Sequence, residues 1–162
     1  VWALAVLDAG RLASGSHDYT VKIWDVAAER CLATLLDHSG GVYALAVLDA
    51  GRLASGAHDN TVKIWDLAAE RCVATLEGHS YWVSALAVLD AKRLASGSGD
   101  STVKIWDVAA ERCVATLKGQ FWVQILESKY FNFHFEFPEC QNIKISLKSQ
   151  NTDETHHESH ET

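Results

Sequence analysis

The chain contains no methionine. A complete translation product starts with one, yet this chain opens on Val1 inside an apolar run. The expectation is a fragment, a trimmed version or an incompletely read gene. No apolar run approaches the ~18 residues of a membrane span. The N-terminus lacks the charged, apolar and small-residue order of a signal peptide. Positive charge is scarce: 14 Lys and Arg stand against 21 Asp and Glu, for a net charge of −7. Such a chain repels phosphate backbones, which argues against a nucleic-acid partner. The Gly-x-Ser-x-Gly, GxGxxG and P-loop patterns are absent, and so is Cys-x-x-Cys. What remains is ordinary for a globular chain of 162 residues, with 48% hydrophobic and 22% charged residues.

What the chain does have is a repeat. RLASGSHD at Arg11 returns as RLASGAHD at Arg52 and RLASGSGD at Arg93, and VKIWD at Val21 returns at Val62 and Val103. Both steps are 41 residues. Aligning 1–38 with 42–79 and 83–120 leaves 28 of 38 columns identical, which points to recent duplication. Each copy reads as four short strands. VYALAVL (42–48) is a continuous apolar run, as in a strand buried on both faces. The Asp-Ala-Gly that follows is a turn. RLASG is a second strand, AHDN a polar turn, and TVKIWD a third strand rich in β-branched residues. LAAER connects to CVATL, the fourth. Four strands in about 40 residues is the blade pattern of a propeller.

The motifs GH, SGSxD and TVKIWD at this spacing resemble the WD-repeat (WD40-type) β-propeller family over residues 1–120. The resemblance implies an all-β fold, a partial, open propeller of three four-stranded antiparallel blades at about 1–37, 42–78 and 83–119. It also implies a non-catalytic scaffold that binds other proteins or peptides on its rim, within a larger intracellular protein. Near-identical copies are similar to WD arrays in signalling and innate recognition. A Trp-Asp-x-Arg subtype recruits cullin-type ubiquitin ligases, but Ala27, Ala68 and Ala109 stand in the fourth position here. Three blades do not close a ring, since propellers typically have four to eight. Either further blades exist or copies associate to cover the open faces. Missing sequence is the simpler expectation, and a truncated, non-functional locus is the rival one.

After residue 120 the composition shifts: all five Phe lie beyond it and all ten Gly before it. Residues 121–162 read as a divergent tail. FNFHFEF (131–137) alternates with period two. FWVQIL and IKI can be laid under YWVSAL and VKI. The tail is thus a decayed fourth blade to about 148, or unrelated sequence, and its polar end should be disordered.

Ser55, Asp59 and a nearby His hold the parts of a serine triad. Ser14 with Asp18 and Ser96 with Asp100 repeat the pair, which looks architectural. The family resemblance implies hydrogen-bonded tetrads: His38, Ser55, Asp59 and Trp65 in blade two, and His79, Ser96, Asp100 and Trp106 in blade three. Blade one has Ser14, Asp18 and Trp24, but its His would precede Val1, so that blade should be the weakest. No catalytic residue, cofactor or metal site is expected. His17 and His58 are single turn residues, and His156, His157 and His160 miss the His-Glu-x-x-His spacing. Cys31, Cys72 and Cys113 share one column, and equivalent residues on stacked blades about 10 Å apart lie beyond disulfide reach. Free thiols point to an intracellular, cytoplasmic setting.

The variable columns cluster. Trp2/Tyr43/Ser84 opens the first strand, His17/His58/Gly99 and Tyr19/Asn60/Ser101 flank the Asp turn, and Gly40/Tyr81 and Gly41/Trp82 precede the first strand. On the family layout these loops share one rim. Trp2, Tyr43, Tyr81, Trp82, His17, His58, Tyr19 and Asn60 are therefore the candidate partner-binding residues. Neutral drift, with Trp82 packed between blades, is the alternative.

Overall fold

The structure is a computed structural model that describes residues 1–119. The expectations for the tail, including its decayed blade, its histidines and Cys140, lie outside the described residues. Among the described residues, twelve strands form three antiparallel sheets in simple sequence order. Blade one holds β1 (Ala3–Val6), β2 (Arg11–Gly15), β3 (Val21–Asp25) and β4 (Arg30–Leu35). Blade two holds β5 (Val42–Asp49), β6 (Arg52–Ala57), β7 (Val62–Asp66) and β8 (Arg71–Leu76). Blade three holds β9 (Val83–Val88), β10 (Arg93–Ser98), β11 (Thr102–Asp107) and β12 (Arg112–Lys118). This is an all-β, open arc of a propeller.

Each hairpin is closed by an aspartate or by backbone of unusual sign. Asp8 accepts hydrogen bonds from the Gly10 and Arg11 amides and from Arg11 Nε, and Asp49 and Asp90 serve the equivalent turns. At the second turn, Tyr19, Asn60 and Ser101 have φ of 72°, 68° and 65°. A type I turn followed by one left-handed residue is a standard short hairpin link. Asn tolerates that region, whereas Tyr is strained there. At the third turn Glu29, Glu70 and Glu111 sit at φ near 50°. The register then slips before Trp24, Trp65 and Trp106, so the fourth strand bulges in every blade. Bulges bend the strand and add local twist.

Two apolar cores lie between blades. Ala5, Ala13, Val21, Ile23 and Leu35 of blade one meet Val42, Leu45, Leu53 and Trp65 of blade two. Ala46, Ala54, Val62, Ile64 and Leu76 of blade two meet Val83, Leu86, Leu94 and Trp106 of blade three in the same way. A blade's leading face is therefore Val, Leu, Leu and Trp, and its trailing face Ala, Ala, Val, Ile and Leu. The glycine of each Ser-Gly pair is the fitting point. A Cβ on Gly15 would lie 2.6 Å from Val42 Cγ1, and one on Gly56 2.6 Å from Val83 Cγ1. The next blade's first valine occupies the notch that the missing side chain leaves.

Gly56→Ala is expected to cost about 1–3 kcal/mol through overpacking. Gly10→Ala, where nothing lies within 4 Å of the new methyl, should cost far less. Urea unfolding of both variants checks this, and equal midpoints would show that the notch does not set the blade spacing.

Candidate functional site

The site is built on a buried polar chain. In blade two, Trp65 Nε1 donates to Ser55 Oγ at 2.7 Å. Ser55 Oγ lies 2.6 Å from His38 Nε2, and His38 Nδ1 lies 2.7 Å from Asp59 Oδ2. The carboxylate can only accept, so Nδ1 carries the proton and Nε2 accepts from the serine hydroxyl. The other Asp59 oxygen accepts from the amide and hydroxyl of Thr61, and the Ser39 amide also donates to Oδ2. Blade three repeats the arrangement through Trp106, Ser96, His79 and Asp100. In blade one Trp24 donates to Ser14 at 2.8 Å, while the exposed Asp18 serves only its own turn, through Thr20.

Ser–His–Asp connectivity is also that of a hydrolase triad, but the surroundings are not. Ser55 and Ser96 are fully buried, and each hydroxyl oxygen already accepts from a tryptophan. A nucleophile must be reachable and face an oxyanion site. Here the groups tie three pieces of chain together: the linker entering the blade, its second strand and its third.

The charges follow from this packing. Burial works to raise the Asp100 carboxyl, but hydrogen bonds from Thr102, His79 and the Ser80 amide outweigh it and hold the group at about 2. Burial acts the same way on Asp59, and His38 and Thr61 hold it well below the usual carboxylate range. Burial pushes the His79 imidazole below its ordinary value against the pull of Asp100. A further tether crosses from the first linker: Lys63 Nζ donates to Asp37 Oδ2 at 2.7 Å and to Thr75. Asp37 replaces the glycine found at 78 and 119.

Above this frame lies the variable rim. The loop before each blade bonds directly to an Asp turn: His58 N donates to Gly41 O, and Gly99 N to Trp82 O. The aromatic rings of both loops therefore meet. Trp2 stacks on Tyr43 with centroids 4.7 Å apart and planes 3° from parallel. His17 meets the edge of Trp2, and Tyr19 lies beyond His17. Tyr43 continues to His58 and Trp82, and Trp82 to Tyr81. Seven of the eight candidate residues thus form one strip across three blades. Trp2, Tyr19 and Tyr81 remain close to half exposed. Asn60 lies outside the strip and supplies the left-handed turn position instead. Trp82 is half-buried, at the rim between blades two and three.

The rim substitutions are coupled by volume. A Cβ on Gly99 would lie 2.5 Å from Tyr81 and 2.8 Å from Trp82. A Cβ on Gly40 would lie 2.7 Å from the Asp59 amide and 2.9 Å from His58 Cβ. Blade two places bulk in the turn and glycines in the loop, and blade three does the reverse. Sequence reasoning saw both columns vary but missed the exchange. The opposite changes in size, Gly40-Gly41 with His58 against Tyr81-Trp82 with Gly99, are the signal that carried it.

The WD domain, G-beta repeat family (WD40) matches residues 1–25, 29–66 and 70–107, more than half of the chain. The chain belongs to the WD40 family. Its repeats run out of phase with the blades, since 29–66 takes β4 of blade one with β5 to β7 of blade two. The matches at 29–66 and 70–107 therefore each join two blades covalently. The chain is 54% identical over 33 residues to the Lissencephaly-1 homolog of Dictyostelium discoideum, covering 20% of this chain and 8% of that protein. Its fold is similar to the crystal structure of the WD40 β-propeller domain of Doa1, at TM-score 0.70 and 26% identity, covering 74% of this chain and 41% of that one. The matched parts thus span less than half the length of either. WD40 propellers serve generally as non-catalytic scaffolds for protein–protein interaction. Among the described residues, no helix is long and apolar enough to cross a membrane.

Ser55→Ala and Ser96→Ala should each strand a buried indole N–H and an imidazole nitrogen, at about 1–3 kcal/mol per unsatisfied group. Ser14→Ala strands only one partner and should cost less; equal losses in urea unfolding would count against the tetrad's role. Stability should also depend on pH. His79 binds its proton more weakly when folded, so its contribution is complete above its unfolded value of 6.5 and falls as pH drops through that value. The Asp100 contribution is complete above 3.8 and is lost as pH falls toward about 2. Melting temperatures that stay flat from pH 7.5 to 3 would contradict both.

Proposed function

We propose that this chain binds an extended segment of a partner protein along its aromatic rim and performs no catalysis. The observation that carries the reading is the continuous, partly exposed strip of rings from Tyr19 through Trp2 and Tyr43 to Tyr81. Aromatic side chains supply large contact area and dominate binding hot spots. The blades beneath the strip are nearly identical in sequence, while the strip differs from copy to copy. A constant frame under a changing surface suits selection for recognition. Thiols left free at Cys31, Cys72 and Cys113 support an intracellular role. The near-identity of the copies supports a place among WD arrays of signalling or innate recognition.

Peptides selected from a random display library against the wild-type chain provide the test. Trp2→Ala and Tyr81→Ala should weaken such peptides about 30-fold each, the loss of a hot spot of about 2 kcal/mol. Their melting temperatures should stay close to wild type, because both rings lie half outside the core. Peptides that bind both variants with unchanged affinity would place recognition elsewhere.

A further inference from the structure

The two ends of the strands differ in charge. All six arginines stand at the end away from the rings: Arg11, Arg52 and Arg93 open β2, β6 and β10, and Arg30, Arg71 and Arg112 open β4, β8 and β12. The first three are each tied to an aspartate of their own turn. At the other end, the connecting segments 16–20, 36–41, 58–61, 77–82 and 99–101 hold five carboxylates and no lysine or arginine. Among the described residues, only Asp37 of the five is paired with a lysine, Lys63. The lysines nearest this end are turned aside. Lys63 and Lys104 reach outward to Thr75 and Thr116 of the fourth strands, Lys22 lies over Trp24, and Lys118 stands on the outermost strand, β12.

The negative charge is built into the ring strip. Tyr81 packs against Gly99, and Asp100 follows. Ser98 Oγ donates to the Tyr81 carbonyl at 2.9 Å and accepts from the Asp100 amide at 3.1 Å, so one hydroxyl joins the two backbones. The Asp100 carboxyl is held at about 2, and burial pushes the His79 imidazole below its ordinary value. The pair therefore keeps a net negative charge at neutral pH. Tyr81, beside it, is 48% exposed. In blade one the half-exposed Tyr19 likewise follows Asp18.

We infer that the segment bound along the strip is basic and sets a lysine or arginine side chain on the open face of Tyr81. This rests on the recognition proposed above and adds the chemistry of what is recognised. A ring face attracts a cation through its quadrupole, within about 6 Å of the centroid. Carboxylates of one sign along a surface add to that attraction and speed the encounter. An acidic segment would meet the same carboxylates with no cation in these loops to receive it. A purely apolar segment would gain nothing from the charge.

Peptides selected from a random display library against the full 162-residue chain provide the test. Those that lose affinity for Trp2→Ala and Tyr81→Ala should be enriched in lysine and arginine over the unselected library. Replacing the basic residue by norleucine or citrulline, which keep its shape and remove its charge, should weaken binding about 5-fold. Raising NaCl to about 0.5 M, where exposed charges are screened over less than ~10 Å, should weaken the parent peptide and leave its neutral version unchanged. Ser80 is exposed in the linker that leads to Tyr81. Ser80→Lys should weaken the basic peptides about 5-fold at an unchanged melting temperature, and Ser80→Gln should not. Three results would overturn the inference and leave recognition at the strip standing: rim-dependent peptides with no excess of basic residues, a neutral replacement that binds equally well, or Ser80→Lys binding as tightly as Ser80→Gln. Peptides insensitive to Trp2→Ala and Tyr81→Ala, or no peptides at all, would overturn the recognition itself and this inference with it.

Discussion

The rim of blades two and three depends on one hydroxyl in each. The Ser55 oxygen accepts from Trp65 while its proton goes to His38, so a single small group ties the third strand to the linker from the preceding blade. No other arrangement of these groups satisfies all of them: the indole only donates, the carboxylate only accepts, and the imidazole must do both. A buried network with every member paired fixes one packing, because each alternative leaves a polar group dry. The chain shares its connectivity with a hydrolase triad, but the tryptophan occupies the oxygen that would have to attack. The same chemistry that activates a serine when it is open to substrate makes a strut when it is closed.

The strut explains how the rim can vary. His38 and His79 anchor the very linkers that lead into Gly40-Gly41 and Tyr81-Trp82. Asp59 and Asp100 anchor the turns that carry His58 and Gly99. With both pieces of backbone held from below, the side chains above can exchange volume without moving the strands. Gly99 opposite Trp82 and His58 opposite Gly40 are two solutions to one space constraint. Asp37 adds a local variation, since its pairing with Lys63 secures one linker by charge where the others keep glycine.

Most of the blade was legible because the copies serve as each other's control. Ser55, Asp59 and Trp65 recur together with His38, and a set that recurs at one blade position reads as architecture before any coordinates. The strands were legible for the same reason, as apolar and β-branched runs between Asp and Gly turns. What stayed hidden depends on geometry rather than residue type. Nothing in the letters of Tyr19, Asn60 and Ser101 requires a left-handed backbone, and Tyr19 argues against one. The bulge in the fourth strand opposite each Trp leaves no mark in a 41-residue period that every copy shares. The strip from Trp2 to Tyr81 required knowing that rings from different blades meet, which spacing along one chain does not reveal.

The rim and the blade faces are different surfaces. The ring strip runs across the junctions between blades one and two and between two and three, through Trp2 against Tyr43 and Tyr43 against Trp82. At the trailing side of blade three the equivalent columns are Ser84, Gly99 and Ser101. They offer no ring to continue the strip. The aromatic surface is thus confined to the two junctions between blades, while the apolar contacts beneath it use the same Val, Leu, Leu and Trp columns at both. Recognition and blade packing draw on different residues, so the one can change while the other stays fixed.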